Sequence, residues 1–198
     1  MPAWSPRWSR AIRLLSGAPF ASVGRGSRRL TYCAAGTAMV GIGIPMAKAE
    51  RRMKATGGPG IVALELAGPE KVDGILAKWG DDGTKAARGQ LALDQLWLMT
   101  YAVLIAGAWT AVSERLHVRN RRWLGRAAGA AGWAAVAAGA CDAVENTALL
   151  GVVTGRGPRH KLAAVAQGAA RTKFTLLTVP VLGVVANVVG RRIAARRS

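Results

Sequence analysis

Leu91–Val112 reads LALDQLWLMTYAVLIAGAWTAV, an apolar stretch interrupted by one charged residue, Asp94. About 20 consecutive apolar residues are needed to cross the hydrocarbon core of a bilayer as a helix. The stretch therefore predicts a membrane-spanning helix rather than a helix of a water-soluble core. Three further apolar runs predict spans at about residues 30–47, 123–153 and 173–190.

The distribution of charge also indicates an integral membrane protein. The chain of 198 residues carries 28 Lys and Arg, a formal net charge of +18 and a mean hydropathy of +0.20. The charged residues are grouped between the apolar runs, which is typical of membrane proteins rather than of nucleic-acid-binding proteins. We expect the lipid bilayer and its anionic headgroups as partners, and no nucleic acid.

These runs predict an all-α fold, an antiparallel four-helix transmembrane bundle that forms one domain over residues 30–190. Residues 1–29 contain six Arg and no acidic residue, and their apolar side chains share one helical face. This basic amphipathic leader predicts either an interfacial helix or an organelle transit peptide. A basic tail, residues 191–198, ends the chain.

A short helix is expected in the connection between the first two spans, within GPEKVDGILAKWG at residues 68–80. The proline and glutamate near its beginning suit a helix start. Four apolar residues recur at helical spacing and line one face: Val72, Ile75, Leu76 and Trp79. We expect this amphipathic helix to lie at the membrane surface or to cap the bundle, with Trp79 as an interface anchor.

The lysines and arginines outside the spans favour one orientation in the membrane. With the N-terminus inside, the inner side holds the leader, the basic segment 115–126 and the tail. The outer side holds the connection 48–90, which contains six of the ten acidic residues. The positive-inside rule therefore predicts both termini inside. We expect the membrane to be a bacterial cytoplasmic membrane, or an organelle membrane if the leader is a transit peptide.

The third predicted span contains GACDAVENTALL, residues 139–150, with two carboxyls and an amide among apolar residues. Ala135, Gly139, Asp142 and Asn146 follow one another at helical spacing, and small residues on a helix face favour close packing on a neighbour. We therefore expect the polar groups to face the bundle interior, at the depth of polar groups from the second and fourth spans. The candidate cluster consists of Asp94, Tyr101, Asp142, Glu145, Asn146, Arg171 and Lys173.

A charged group inside a membrane needs a partner, because inserting an unpaired one costs at least about 2.5–3.5 kcal/mol of free energy. The carboxyls of the cluster can be protonated, paired with Lys173 or Arg171, bound to a cation or hydrated in a cavity. The cluster is then either a binding or proton-handling site or a structural polar clamp between helices. Glu65, in the connection, is expected to be a solvated loop acid, with contact to the bundle as the alternative.

The sequence contains no recognised catalytic or metal-binding motif. His117 and His160 fall on opposite sides of the membrane in this topology, so they cannot share a metal or a haem. Cys33 and Cys141 lie in different apolar runs, and no C-x-x-C is present. We expect no metal and no cofactor, and the absence of a nucleophile or metal set disfavours an enzyme.

Four stretches within residues 61–182 carry a resemblance: LELAGPEKVDGILAKWG, LDQLWLMTYA, AGACDAVENTALL and KFTLL. The most specific part is the D-A-x-E-N string at residues 142–146. Together they resemble a loose family of small, uncharacterised bacterial four-span membrane proteins. The resemblance implies the four-span fold and directs attention to Asp142, Glu145 and Asn146, and it implies no activity.

Three functions follow as hypotheses. The first is a non-enzymatic structural or partner-binding membrane bundle with a buried polar clamp, which associates with itself or with another membrane protein. The second is a small transporter or an ion- or proton-handling protein that uses Asp94, Asp142 and Glu145. With four short spans and no inverted repeat, that function requires an oligomer. The third is a membrane-embedded enzyme that acts on a lipid.

Overall fold

The structure of the protein, a computed structural model, describes the backbone of residues 17–195 and the side chains of residues 17–183. Most of this part is helical, in α1 (Arg25–Ala55), α2 (Ile61–Leu66), α3 (Val72–Val118), α4 (Arg122–Thr154) and α5 (Arg159–Ala195). No strand occurs in residues 17–195, so the all-α prediction is confirmed for them. The first part of the predicted leader and the end of the predicted tail lie outside the described residues.

Three of the described helices, α1, α3 and α4, are long and apolar enough to cross a membrane. They contain the predicted spans 30–47, 91–112 and 123–153. None of the most apolar window of α1 is buried, and Leu30 is 75% exposed. Because apolar surface of this extent suits contact with lipid, the three helices indicate a membrane location. The predicted span 173–190 lies within α5, and its crossing of a membrane stays a prediction.

The described chain forms two compact units, each built from separate segments of sequence. Unit 1 comprises the described residues up to Cys33, Ala102–Ala137 and the chain from Leu176 onward, and unit 2 comprises Ala34–Tyr101 and Ala138–Thr175. In unit 1 the Arg28 guanidinium lies 2.6 Å from a Glu114 carboxylate oxygen. The Trp109 indole N–H donates to the carbonyl of Pro180 at 2.9 Å. These contacts tie α3 to α1 and to α5.

The apolar core of unit 2 draws side chains from all five described helices. Its fully buried members include Met53 of α1, Leu64 of α2, Leu91 of α3 and Leu149 of α4. A helix as short as α2 is not stable alone in water, so its position depends on the burial of Leu64 and its neighbour Ile61. This docking fixes the place of the adjacent Glu65.

Gly80 divides α3 into two segments. Its φ of 57° and ψ of −158° are a combination that is essentially restricted to glycine. The first segment is the amphipathic helix expected from the sequence, and its apolar face packs against the core of unit 2 through Val72, Ile75, Leu76 and Trp79. Trp79 is not an exposed interface anchor, which corrects the expectation for this residue. Its side chain is 1% exposed and donates to the Pro59 carbonyl at 2.6 Å, because a core able to receive the indole stabilises it more than the surface does.

Candidate functional site

Lys173 of α5 is the centre of a buried polar cluster in unit 2. Its ammonium nitrogen lies 2.8 Å from Asp142 Oδ1, 2.7 Å from Glu145 Oε2 and 3.8 Å from Glu65 Oε2. None of these four side chains is more than 8% exposed. One ammonium therefore joins α5 to α4 and to α2.

Tyr101 and Asn146 extend the cluster to α3. The Tyr101 hydroxyl donates to Asp142 Oδ2 at 2.7 Å. The Asn146 amide donates to Asp94 Oδ2 at 3.0 Å. Asp142 consequently accepts a hydrogen bond on each of its carboxylate oxygens, one from Lys173 and one from Tyr101. Two buried polar contacts therefore join α3 and α4 in unit 2.

Helical spacing explains why α4 supplies three members of the cluster. Asp142, Glu145 and Asn146 stand at positions i, i+3 and i+4, which lie next to one another on one face of a helix. The small residues Ala135 and Gly139, which share that face, are buried as well. These small residues leave room for a neighbouring backbone to approach. The polar side chains on the same face therefore point toward the packed interior.

The charges of the cluster do not balance if every carboxyl is ionised. Three carboxyls surround one ammonium, and Asp94 adds a fourth carboxyl through Asn146. Glu145 is fully buried, and within the described part of the chain its Oε1 has no hydrogen-bond partner. Its Oε2 meets Lys173 at ion-pair distance but not along a hydrogen-bonding direction. Because surplus buried negative charge is costly, the cluster requires protons on some of its carboxyls.

Glu65 indicates where such a proton is held. Burial raises the pKa of the Glu65 carboxyl above its ordinary value, although the Lys173 ammonium acts to lower it. Its Oε2 lies 3.8 Å from the Lys173 ammonium, which is beyond hydrogen-bonding distance. A raised pKa favours the protonated form of Glu65, and its proton removes one negative charge from the cluster.

Two residues lie elsewhere than the sequence suggested. Arg171 is exposed and forms none of the cluster's ion pairs, because two residues along a helix turn a side chain by about 200°, away from the face of Lys173. Glu65 is not a solvated loop acid but is 6% exposed and belongs to the cluster. The signal that could have placed it is its position between Leu64 and Leu66 in a short apolar run. The structure brings the remaining candidates together: Asp94, Tyr101, Asp142, Glu145, Asn146 and Lys173.

The histidines and cysteines have separate surroundings. His117 Nδ1 lies 2.8 Å from the Ser113 carbonyl in unit 1, and His160 Nδ1 lies 3.0 Å from the Pro69 carbonyl in unit 2. The described cysteines are free thiols. Among the residues that the structure describes, no group of three or more His, Cys, Asp or Glu has an arrangement suited to a metal ion.

Comparison of the chain with protein-family models, with curated proteins and with solved structures finds no match. The resemblance to small four-span bacterial membrane proteins therefore stays a prediction.

Proposed function

We propose that the protein is a non-enzymatic membrane bundle, structural or partner-binding, in which the cluster around Lys173 is a polar clamp. The observation that carries the proposal is the approach of one buried ammonium to carboxyls of α2 and α4 within 3.8 Å. In this proposal four antiparallel spans cross a bacterial cytoplasmic membrane with both termini inside. The short connections 119–121 and 155–158 support antiparallel neighbours. A second copy or another membrane protein is the expected partner.

A polar clamp has a physical role in a bundle of this composition. Between helices in lipid there is no hydrophobic driving force, so close packing and hydrogen bonds hold them together. The apolar faces here consist largely of Ala, Gly and Val, whose contacts are individually weak. Contacts of Lys173, Asp142 and Tyr101 connect helices at a fixed depth and register, which packing of small residues alone does not specify.

Removal of one charge tests the clamp. Asp142→Asn keeps the shape of the side chain but takes the carboxylate from both Lys173 and Tyr101. The clamp predicts a loss of about 2 kcal/mol or more in stability at neutral pH, measured by unfolding in detergent. The matched control Asp81→Asn changes an exposed carboxyl and is expected within about 0.5 kcal/mol of the wild type. An Asp142→Asn variant at least as stable as the wild type would show that the charge opposes folding and would exclude the clamp.

The second candidate function is proton handling, and the burial of Glu65 and Glu145 around one ammonium favours it. A proton on a buried carboxyl beside a lysine can be released or accepted with small changes of geometry. Glu145 Oε1, without a hydrogen-bond partner in the described residues, provides a further place for a proton. This function needs a route from the cluster to water on each side of the membrane, which the clamp does not.

Proton flux separates the two candidates. The full chain is reconstituted into liposomes that contain a pH-sensitive dye, and a pH difference is imposed across the bilayer. Proton handling predicts dissipation faster than in protein-free liposomes, with loss of the excess rate in Glu145→Gln and its retention in Asp81→Asn. Equal rates with and without the wild-type protein would leave the clamp as the function of the cluster.

A further inference from the structure

A second concentration of charge lies in unit 1, where the beginning of α1 and the end of α3 line a common cleft. The cleft has a volume of about 500 Å³. Its lining contains five arginines and a single acidic residue, which gives it a formal charge of +4: Arg25, Arg28, Arg29, Arg115, Arg119 and Glu114. We call this feature the arginine cleft. It is separate in sequence and composition from the cluster around Lys173.

The acidic residue of the arginine cleft is already paired. Glu114 lies 2.6 Å from Arg28, and the Arg28 side chain is 11% exposed, so this pair serves to join α1 to α3. The remaining four arginines are exposed, and none pairs with a carboxylate of the described residues. Four like charges around one cleft repel one another, and an anion in the cleft would relieve the repulsion.

The position of the cleft relative to the apolar runs restricts the kind of anion. The arginines of α1 immediately precede the apolar run that begins at Leu30, and those of α3 follow the run that ends at Val112. Basic residues at the ends of spans lie at the level of the lipid headgroups. The cleft also has apolar lining, from Ala111 and from Val118, which is 88% exposed.

We propose that the arginine cleft binds the phosphate of an anionic phospholipid. Guanidinium groups bind phosphate oxygens through paired N–H donors, and several of them converge here on one space. Val118 and Ala111 offer apolar surface to the part of the lipid next to its headgroup. A free phosphate monoester shares the phosphate chemistry but has no acyl chain to pack on this apolar surface. We therefore assign the cleft to a lipid. The proposal does not depend on the role of the cluster around Lys173.

Two matched double variants test the site in the full chain. Arg29→Gln with Arg119→Gln removes two exposed arginines of the cleft, and Arg51→Gln with Arg171→Gln removes two exposed arginines of unit 2. Each protein in uncharged detergent is titrated with phosphatidylglycerol, with phosphatidylcholine and with glycerol phosphate, and binding is followed by thermal stabilisation. With about 1 kcal/mol per arginine near a headgroup, the cleft variant should bind phosphatidylglycerol on the order of 30-fold more weakly than the wild type.

The affinities of the wild type and the two double variants for the three ligands decide whether the cleft is a specific lipid site. Specific binding requires that the unit 2 variant keeps wild-type affinity for phosphatidylglycerol and that phosphatidylcholine binds weakly to all three proteins. Equal affinity of the two double variants would overturn the site, because only diffuse charge would then act. Glycerol phosphate that binds the wild type as tightly as the lipid does would overturn the lipid assignment. Val118→Ser gives an independent check, since it should weaken binding of the lipid and leave binding of glycerol phosphate unchanged.

Discussion

Protonation of Glu65 links the stability of the fold to pH. Burial raises its pKa in the folded protein, whereas in the unfolded chain the pKa returns to the ordinary value near 4.5. Between these two values the folded state binds more protons than the unfolded state. The contribution of Glu65 to stability is therefore fully present below the unfolded pKa and is lost as pH rises through the folded pKa.

Glu65→Gln tests this linkage. Glutamine resembles the protonated carboxyl and does not titrate, so the variant should lose less stability than the wild type as pH rises. The measurement is the unfolding temperature in detergent from about pH 4.5 to about pH 8, the range over which a raised carboxyl pKa acts. Glu70→Gln, at an exposed carboxyl of the same connection, should follow the wild-type curve. Parallel curves for the wild type and Glu65→Gln would refute the raised pKa of Glu65.

Single residues also show how far the sequence specifies the cluster. Helical spacing places Asp142, Glu145 and Asn146 on one face because neighbours at i, i+3 and i+4 must share it. The same reasoning separates Arg171 from Lys173, since positions i and i+2 do not share a face, yet proximity in sequence suggested both. Glu65 could not be assigned from periodicity, because its place depends on the docking of α2 and thus on contacts distant in sequence.

At the scale of elements, the break in α3 at Gly80 orients the segment Val72–Trp79 so that its apolar face packs on the core of unit 2. Gly80→Ala introduces a Cβ at a backbone conformation that other residues rarely adopt, although no atom crowds the position. We expect a loss of about 1–3 kcal/mol in stability, measured by unfolding in detergent. Gly89→Ala, at an exposed helical position of the same α3, should instead stabilise by about 0.5–1 kcal/mol. A Gly80→Ala variant as stable as the wild type would show that α3 can continue straight through residue 80.

The sequence predicts most of the long helices, but it does not predict where they begin and end. Apolar runs of the right length predicted the central parts of α1, α3 and α4, because hydrophobicity is a local property. The continuation of α1 to Ala55 and the joining of residues 72–79 to the following span depend on packing within unit 2. Met53 illustrates this, since it lies in the basic end of α1 and is nevertheless fully buried.

For the whole molecule, the number of spans decides on which side of the membrane each terminus lies. Four spans place both termini on one side, and three spans place them on opposite sides. In the proposed orientation, the basic segments around residues 115–126 and 191–197 would lie with the leader on the inner side, as the positive-inside rule favours. The short connection 155–158 between α4 and α5 would lie outside. The crossing of the membrane by α5 is the step on which this arrangement depends.

Cysteine labelling in intact cells tests the topology. In a chain whose Cys33 and Cys141 are replaced by Ala, the exposed Arg156→Cys and Arg121→Cys each supply one thiol in a connection. With both termini inside, a membrane-impermeant maleimide should label Arg156→Cys in intact cells and Arg121→Cys only after permeabilisation. A thiol added after Ser198 should behave like Arg121→Cys if α5 crosses the membrane. Labelling of that terminal thiol in intact cells, together with Arg156→Cys, would mean that α5 stays on the outer side and that three spans anchor the protein.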